Sequence, residues 1–245
     1  MFKELENYFR FQNTPKGIKA IVSKRNINVG FHNQKESQIK KNREKILAEL
    51  GLRIDQLICA QQIHSNGVCI VGRDEKGRGA IRYSDALADI DALITKEKNI
   101  AIAVFCADCL PIFLIDKKKD IIAIVHAGWK STKKAIVKNT IFAMKQVFDT
   151  QPKDVLVYFG PAIRRCCFEV GEEFLGYFKR GIYRSGSKIF LDTAEVNYLQ
   201  LREVGVIEKN IFDSKICTVC SNDKFFSYRK EKESCGRQMA LIVRQ

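Results

Sequence analysis

Ile100-Ala101-Ile102-Ala103-Val104-Phe105 is followed by Cys106-Ala107-Asp108-Cys109-Leu110-Pro111 and then Ile112-Phe113-Leu114-Ile115-Asp116. After Lys117-Lys118-Lys119-Asp120 comes Ile121-Ile122-Ala123-Ile124-Val125-His126, and this stretch decides the fold. Its apolar runs, rich in Ile and Val with almost no polar break, suit strands buried on both faces. The polar joint Lys117–Asp120 between the last two runs predicts a hairpin. Working outward, the same pattern predicts strands at Gly17–Ser23, Gln56–Ile63, Gly67–Val71, Ala92–Thr95, Asp154–Phe159 and Lys188–Leu191. Helical spacing appears at Lys35–Leu50, where Ile39, Ile46, Leu47 and Leu50 recur among lysines and glutamates before Gly51 stops the run. A longer stripe, Ala135, Ile136, Thr140, Ile141, Met144, Val147 and Phe148, predicts a helix over Ser131–Phe148. Shorter helices are expected at Glu172–Arg180 and Thr193–Val204. Strands and helices mix without strict alternation, so the expected class is α/β or α+β with layered mixed sheets. No low-complexity linker or repeat divides residues 1–245, which are read as one domain.

Bulk composition narrows the function classes. The chain of 245 residues is 46% hydrophobic with four prolines, as expected of an ordinary globular protein. No run of about 18 apolar residues exists, so no membrane-spanning helix is expected. The segment Met1–Asn7 lacks an apolar export core, which points to the cytoplasm. The nine cysteines are odd in number, and several, such as Cys59 and Cys69, lie in apolar runs, as small buried hydrophobes do. A net charge of +14 suits a nucleic-acid binder. The lysines are scattered in pairs and triples, however, and no interleaved aromatic and basic pattern accompanies them. A basic surface that draws in small anions such as phosphate is the favoured reading.

The chemistry gathers in a few short segments. His64 closes Gln61-Gln62-Ile63-His64, Cys109 sits in Ala107-Asp108-Cys109-Leu110-Pro111, and His126 opens His126-Ala127-Gly128-Trp129. Two imidazoles and one thiolate are the donors of a catalytic zinc with an open position. Adjacent strands would bring Cys109 beside His126, and Ser131 is placed to cap the following helix. Other readings use the same residues. Histidines at strand ends are often only hydrogen-bonded. Cys109 and His126 also suit a nucleophile and base, with Asp108 orienting the histidine. The pairs Cys106/Cys109 and Cys217/Cys220 offer a four-cysteine zinc, although their separation far exceeds a zinc-ribbon loop. A thioredoxin-like site is disfavoured by Pro111 and the strand after Cys109. The deaminase pattern H-x-E with P-C-x-x-C, the H-E-x-x-H motif, a Walker A loop and a strand-borne G-x-G-x-x-G are absent from the sequence.

Taken in order, Gln62-Ile63-His64, Asp91-Ala92-Leu93-Ile94-Thr95, Ala107-Asp108-Cys109-Leu110-Pro111, His126-Ala127-Gly128-Trp129, Gly160-Pro161-Ala162-Ile163, Phe168-Glu169-Val170-Gly171, Cys217-Thr218, Phe226-Ser227-Tyr228-Arg229 and Gly236-Arg237 closely resemble the YfiH/YlmD family. That family has been described both as laccase-like polyphenol oxidases and as purine nucleoside phosphorylases with adenosine deaminase and methylthioadenosine phosphorylase activity. The resemblance covers nearly the whole chain. It implies a layered α/β/β/α sandwich and metal ligands at His64, Cys109 and His126. It also implies a substrate or phosphate role for Asn42 and Arg43. Lys130-Ser131, Lys230 and Cys235 depart from residues common in the family, which puts substrate preference in question.

The activity expected from this resemblance is zinc-dependent phosphorolysis of adenosine, inosine and methylthioadenosine, together with hydrolytic deamination of adenosine to inosine. Cys109, His126 and Asp108 are the catalytic candidates, with Glu169 a further proton carrier. Asn42, Arg43, Arg229 and Arg237 are the candidates for substrate and phosphate. Copper is the alternative metal, with phenol oxidation as the matching activity, but three histidines cannot supply several copper centres. A metal-free Cys109–His126 hydrolase acting on cell-wall precursors is the other alternative. Expected partners are purine nucleosides and phosphate, with no membrane, no nucleic acid, and a monomer or weak homodimer as the assembly.

Overall fold

The computed structural model describes residues 2–31 and 34–245; His32, the third histidine, lies outside them. Two six-stranded sheets stack face to face. In the first, the order is Phe2–Glu4, Tyr8–Phe11, Ile18–Ser23, Gln238–Arg244, Ala101–Cys106 and Leu57–Cys59. In the second it is Ile211–Asp213, Val155–Phe159, Leu110–Asp116, Ile121–Ala127, Ala92–Thr95 and Val68–Ile70. Each sheet is mixed, with parallel pairs at Leu57–Cys59/Ala101–Cys106, Val68–Ile70/Ala92–Thr95 and Val155–Phe159/Ile211–Asp213.

Alternation along the strands builds the layers. Ile102, Val104, Ala240 and Ile242 of the first sheet meet Phe113, Ile115, Ile122 and Ile124 of the second. Their neighbours Ala101, Ala103, Leu241 and Val243 face outward onto Ile46 and Leu47 of the Glu36–Glu49 helix. On the far side, Ile112, Leu114, Ala123 and Val125 pack on Ile136, Val137, Ile141 and Met144 of the Ile136–Phe148 helix and on Ala194 and Leu201 of the Thr193–Glu203 helix. Burying each such side chain contributes about 1.5–3 kcal/mol. The outcome is the expected α/β/β/α sandwich. A small antiparallel sheet of Glu169–Val170, Lys188–Leu191 and Ile182–Ser185 flanks one end. Among the described residues no helix is long and apolar enough to cross a membrane.

Several expected elements need correction. The predicted hairpin forms in register Asp116↔Ile121 through Leu110↔Ala127. The helix predicted over Ser131–Phe148, by contrast, is two, Trp129–Lys133 and Ile136–Phe148, broken at Ala135 with φ 57°. Side chains from the neighbouring helix hold the break open. Gln200 Nε2 donates to the Thr132 carbonyl at 2.9 Å, and Asn197 Nδ2 donates to Thr132 Oγ1 at 2.8 Å. Ser131 does not cap: its hydroxyl donates back to the His126 and Gly128 carbonyls. The Gln56–Ile63 strand shrinks to Leu57–Cys59, because the amides of Ile63, His64 and Ser65 turn away to bind the Asp91 carboxylate. Of the Glu172–Arg180 helix only Phe174–Tyr177 is helical. Gln238–Arg244 is a strand absent from the sequence reading, and it lies at the centre of the first sheet.

Candidate metal centre and its cavity

Cys109 and His126 arrive together because of strand register. Pro111 pairs with His126 across the hairpin, so Cys109, just before its strand, lies at the same sheet end as His126 near the close of its own. The short link 107–109 carries the chain from the first sheet into the second. His64 comes from the loop after Leu57–Cys59. Gln62 fixes that loop by clasping the Phe105 backbone, accepting from its N–H at 2.7 Å and donating to its carbonyl at 2.8 Å.

The three side chains converge. His64 Nε2 lies 3.6 Å from Cys109 Sγ, the two imidazoles meet edge to face at 4.8 Å, and all three donor atoms lie within 4.8 Å of one another. A tetrahedral zinc with ordinary bond lengths sets nitrogen and sulfur ligands about 3.6 Å apart. Gly128 leaves the room: a Cβ there would sit 2.6 Å from His64 Cδ2 and 3.0 Å from Cys109 Sγ. His64 at φ 58° and Asp108 at φ 83° are non-glycine residues in left-handed backbone, a strain that collects at functional sites. The donor set and its spacing fit a zinc ion.

Asp91 organises the group and is fully buried. Its carboxylate accepts from the Ile63, His64 and Ser65 amides, from the Ser65 hydroxyl, and from His126 Nδ1 at 2.8 Å. A carboxylate only accepts here, so His126 carries its proton on Nδ1 and turns Nε2 toward the cavity. Burial pushes the Asp91 carboxyl up, but the bond from His126 and those from Ser65 outweigh it and hold it below the usual value. Burial also opposes charge on Cys109 and on His126. The two face each other, however, and their attraction prevails: the thiol falls to about 6 and the imidazole rises to about 9. Asp91, and not Asp108, is therefore the residue that orients the histidine. Asp91→Asn should weaken zinc binding about 10–100-fold, read by competition with a chromogenic chelator; an unchanged affinity would reduce Asp91 to a loop anchor.

A cavity of about 860 Å³ opens above the three ligands. Phe31, Phe105, Tyr83, Trp129, Phe168 and Tyr228 supply aromatic walls, and Lys130, Arg229, Lys232 and Arg237 supply positive charge. Arg229 is held by its own bonds, Nη1 to the Cys167 carbonyl at 3.3 Å and Nη2 to the Glu169 carbonyl at 2.9 Å. Arg237 Nη1 likewise rests on the Cys235 and Gly236 carbonyls. Asp108 lines the cavity, but its carboxylate accepts from the Thr218 hydroxyl and the Arg229 amide, both at 2.6 Å.

Three other candidates lie elsewhere. Arg43 is fully buried, its guanidinium bonded to the Val29, Gly79 and Ala80 carbonyls between the rings of Phe31 and Phe105. Asn42 donates to the Asn28 carbonyl and accepts from Gln38. Neither lines the cavity, so a phosphate contact from this pair is corrected to a structural role. Glu169 pairs with Lys188 at 2.9 Å outside the cavity, which removes it as a proton carrier. The pairing of Cys106/Cys109 with Cys217/Cys220 is also corrected. Cys217 and Cys220 instead meet Cys166 and Cys167.

Known proteins resemble this chain in sequence and in fold. Residues 14–245 match the family described as multi-copper polyphenol oxidoreductase laccase. The chain is 41% identical over 167 residues to a purine nucleoside phosphorylase of Clostridium acetobutylicum, covering 65% of this chain and 69% of that one. It is 32% identical to an adenosine deaminase from an unknown prokaryotic organism, covering 80% and 78% respectively. The crystal structure of the hypothetical protein YfiH of Bacillus licheniformis superposes with a TM-score of 0.94 at 26% identity, covering 100% of this chain and 99% of that one.

Proposed function

The chain belongs to the multi-copper polyphenol oxidoreductase laccase family, and we propose that within it this enzyme cleaves purine nucleosides with phosphate and deaminates adenosine, using zinc at His64, Cys109 and His126. One observation carries the reading: a two-imidazole, one-thiol centre at the floor of an aromatic, cationic cavity. The names of the phosphorylase and deaminase relatives support the substrate class. When bound, zinc supplies Lewis acidity and brings a water close to ionisation at neutral pH.

The protein's own residues do the rest. Asp91 fixes the His126 ring so that Nε2 meets the ion. The aromatic walls receive the flat faces of a purine. Arg229 and Arg237, pre-set by backbone carbonyls, direct their remaining N–H groups at phosphate through charge-assisted hydrogen bonds. Asp108 acts by position, tying the Arg229 backbone and Thr218 to the loop that carries Cys109.

The laccase label does not translate into multicopper chemistry here, since the whole sequence holds three histidines and two of them already share one centre. A second reading has a specific observation behind it. Asp91, His126 and Cys109 line up as a base-and-nucleophile series. Zinc-loaded protein incubated with adenosine and phosphate is expected to yield inosine, free purine base and ribose 1-phosphate. If none forms at full zinc occupancy, the nucleoside reading fails. Turnover of a substrate that survives chelation and dies on thiol alkylation would favour the metal-free nucleophile.

A further inference from the structure

A second group of sulfurs lies apart from the cavity ligands and shares none of them. Cys166 and Cys167 sit in the turn after Arg164, and Cys217 and Cys220 sit in the turn after Ile216. The parallel bridge Ala162↔Cys217 lays these turns side by side, with Ala162 N donating to Ile216 O and Thr218 N to Ala162 O. All four sulfurs lie within 4.8 Å of one another, with Cys167–Cys220 at 3.5 Å and Cys166–Cys220 at 3.8 Å. We propose that Cys166, Cys167, Cys217 and Cys220 bind one structural zinc ion that staples these two turns.

The spacing is the first argument. Zinc–sulfur bonds of ordinary length place tetrahedral thiolates about 3.8 Å apart. Disulfide sulfurs stand about 2.05 Å apart, and all four cysteines are free. The surroundings are the second. Arg164, two residues before Cys166, is clasped by Asp213 through two bonds at 2.9 and 2.8 Å, which anchors the first turn to the strand that leads into the second. Two side chains of this group are exposed and one is buried. The two exposed thiols gain no packing from facing the others. On binding, four thiols release their protons to solvent and four zinc–sulfur bonds form, with no change of oxidation state.

The position explains the staple. The first turn presents the Cys167 carbonyl that holds Arg229, and the second carries Thr218, whose hydroxyl holds Asp108. Four bonds to one ion would thus tie together the two turns that hold Arg229 and Asp108 in the cavity wall. Structural zinc sites of this kind keep no open position, so the ion here takes no substrate.

Metal analysis of the full chain expressed with zinc separates this site from the cavity centre. About two zinc ions per chain are expected in the wild type, and about one in each of two variants, His64→Ala/His126→Ala and Cys217→Ser/Cys220→Ser. A histidine variant with no zinc overturns the proposal and leaves the cavity reading intact. One zinc in the wild type that persists in the histidine variant upholds the staple and sinks the cavity metal. Because the cysteine variant can fail to fold, alkylation of the wild type gives a second readout. Cys166 and Cys220 should resist iodoacetamide with zinc bound and react after chelation. Equal labelling in both states, or a disulfide among the four in the freshly purified protein, overturns the staple.

Discussion

His126→Ala is expected to remove zinc from the cavity and to lower purine nucleoside turnover by about 10³-fold or more. Lewis-acid stabilisation by a bound metal is worth several kcal/mol, and each 1.36 kcal/mol is about tenfold in rate. The substitution takes away the one nitrogen that Asp91 turns toward the cavity. It also takes a hydrogen bond from the buried Asp91 carboxylate, which keeps the amides of Ile63, His64 and Ser65. The fold should therefore survive at a cost of about 1–3 kcal/mol. The check is kcat at saturating zinc beside zinc content per chain. A variant that turns over within tenfold of the wild type after losing its cavity zinc would end the metal mechanism. Loss of turnover with the cavity zinc retained would point instead to His126 as a proton carrier.

The layered core was readable because it is written locally. Ala92–Thr95 falls at its predicted boundaries, and the hairpin joint at Lys117–Asp120 is a charged break between apolar runs. The convergence of His64, Cys109 and His126 was also legible, since imidazole and thiol side chains are common metal donors and these three occur in short, distinctive contexts. What escaped depends on distant partners. Gln238–Arg244 carries an apolar run, but it pairs with Ile18–Ser23 and Ala101–Cys106, far away in the chain, and no turn signal announces it. The break at Ala135 comes from Asn197 and Gln200 reaching in from another helix, which periodicity cannot register. Asp91 was legible only as the first residue of the family-like segment Asp91-Ala92-Leu93-Ile94-Thr95, with no role attached. Its role needs the loop Ile63–Ser65 folded over it. The Cys217-x-x-Cys220 pair was evident and its distance from Cys106 and Cys109 spoke against joining the two pairs, but its actual neighbours Cys166 and Cys167 are set by one β-bridge that spacing does not reveal.

Arg43→Ala should destabilise the protein by about 4 kcal/mol, and it should act through folding and not through phosphate. Burial lowers the Arg43 guanidinium to about 10, so it remains charged at neutral pH. Its N–H groups bond the Val29 carbonyl at 2.8 and 3.0 Å and the Gly79 and Ala80 carbonyls at 2.8 Å each. Phe31 and Phe105 lie 4.2 and 4.3 Å from the guanidinium carbon. Alanine would strand buried carbonyls, each costing about 1–3 kcal/mol, and leave a void between two rings. These terms overlap, and the net loss is still a large share of the roughly 5–15 kcal/mol typical of a whole domain. Arg43→Lys should lose less but still lose, because an ammonium lacks the planar fork that spans two loops at once. Urea denaturation reads both effects. Since Phe31 and Phe105 also wall the cavity, the folded fraction of Arg43→Lys should show the wild-type KM for phosphate within about threefold, equivalent to less than about 1 kcal/mol. A variant of normal stability whose phosphate KM rises tenfold would return Arg43 to the anion site that its buried geometry denies it.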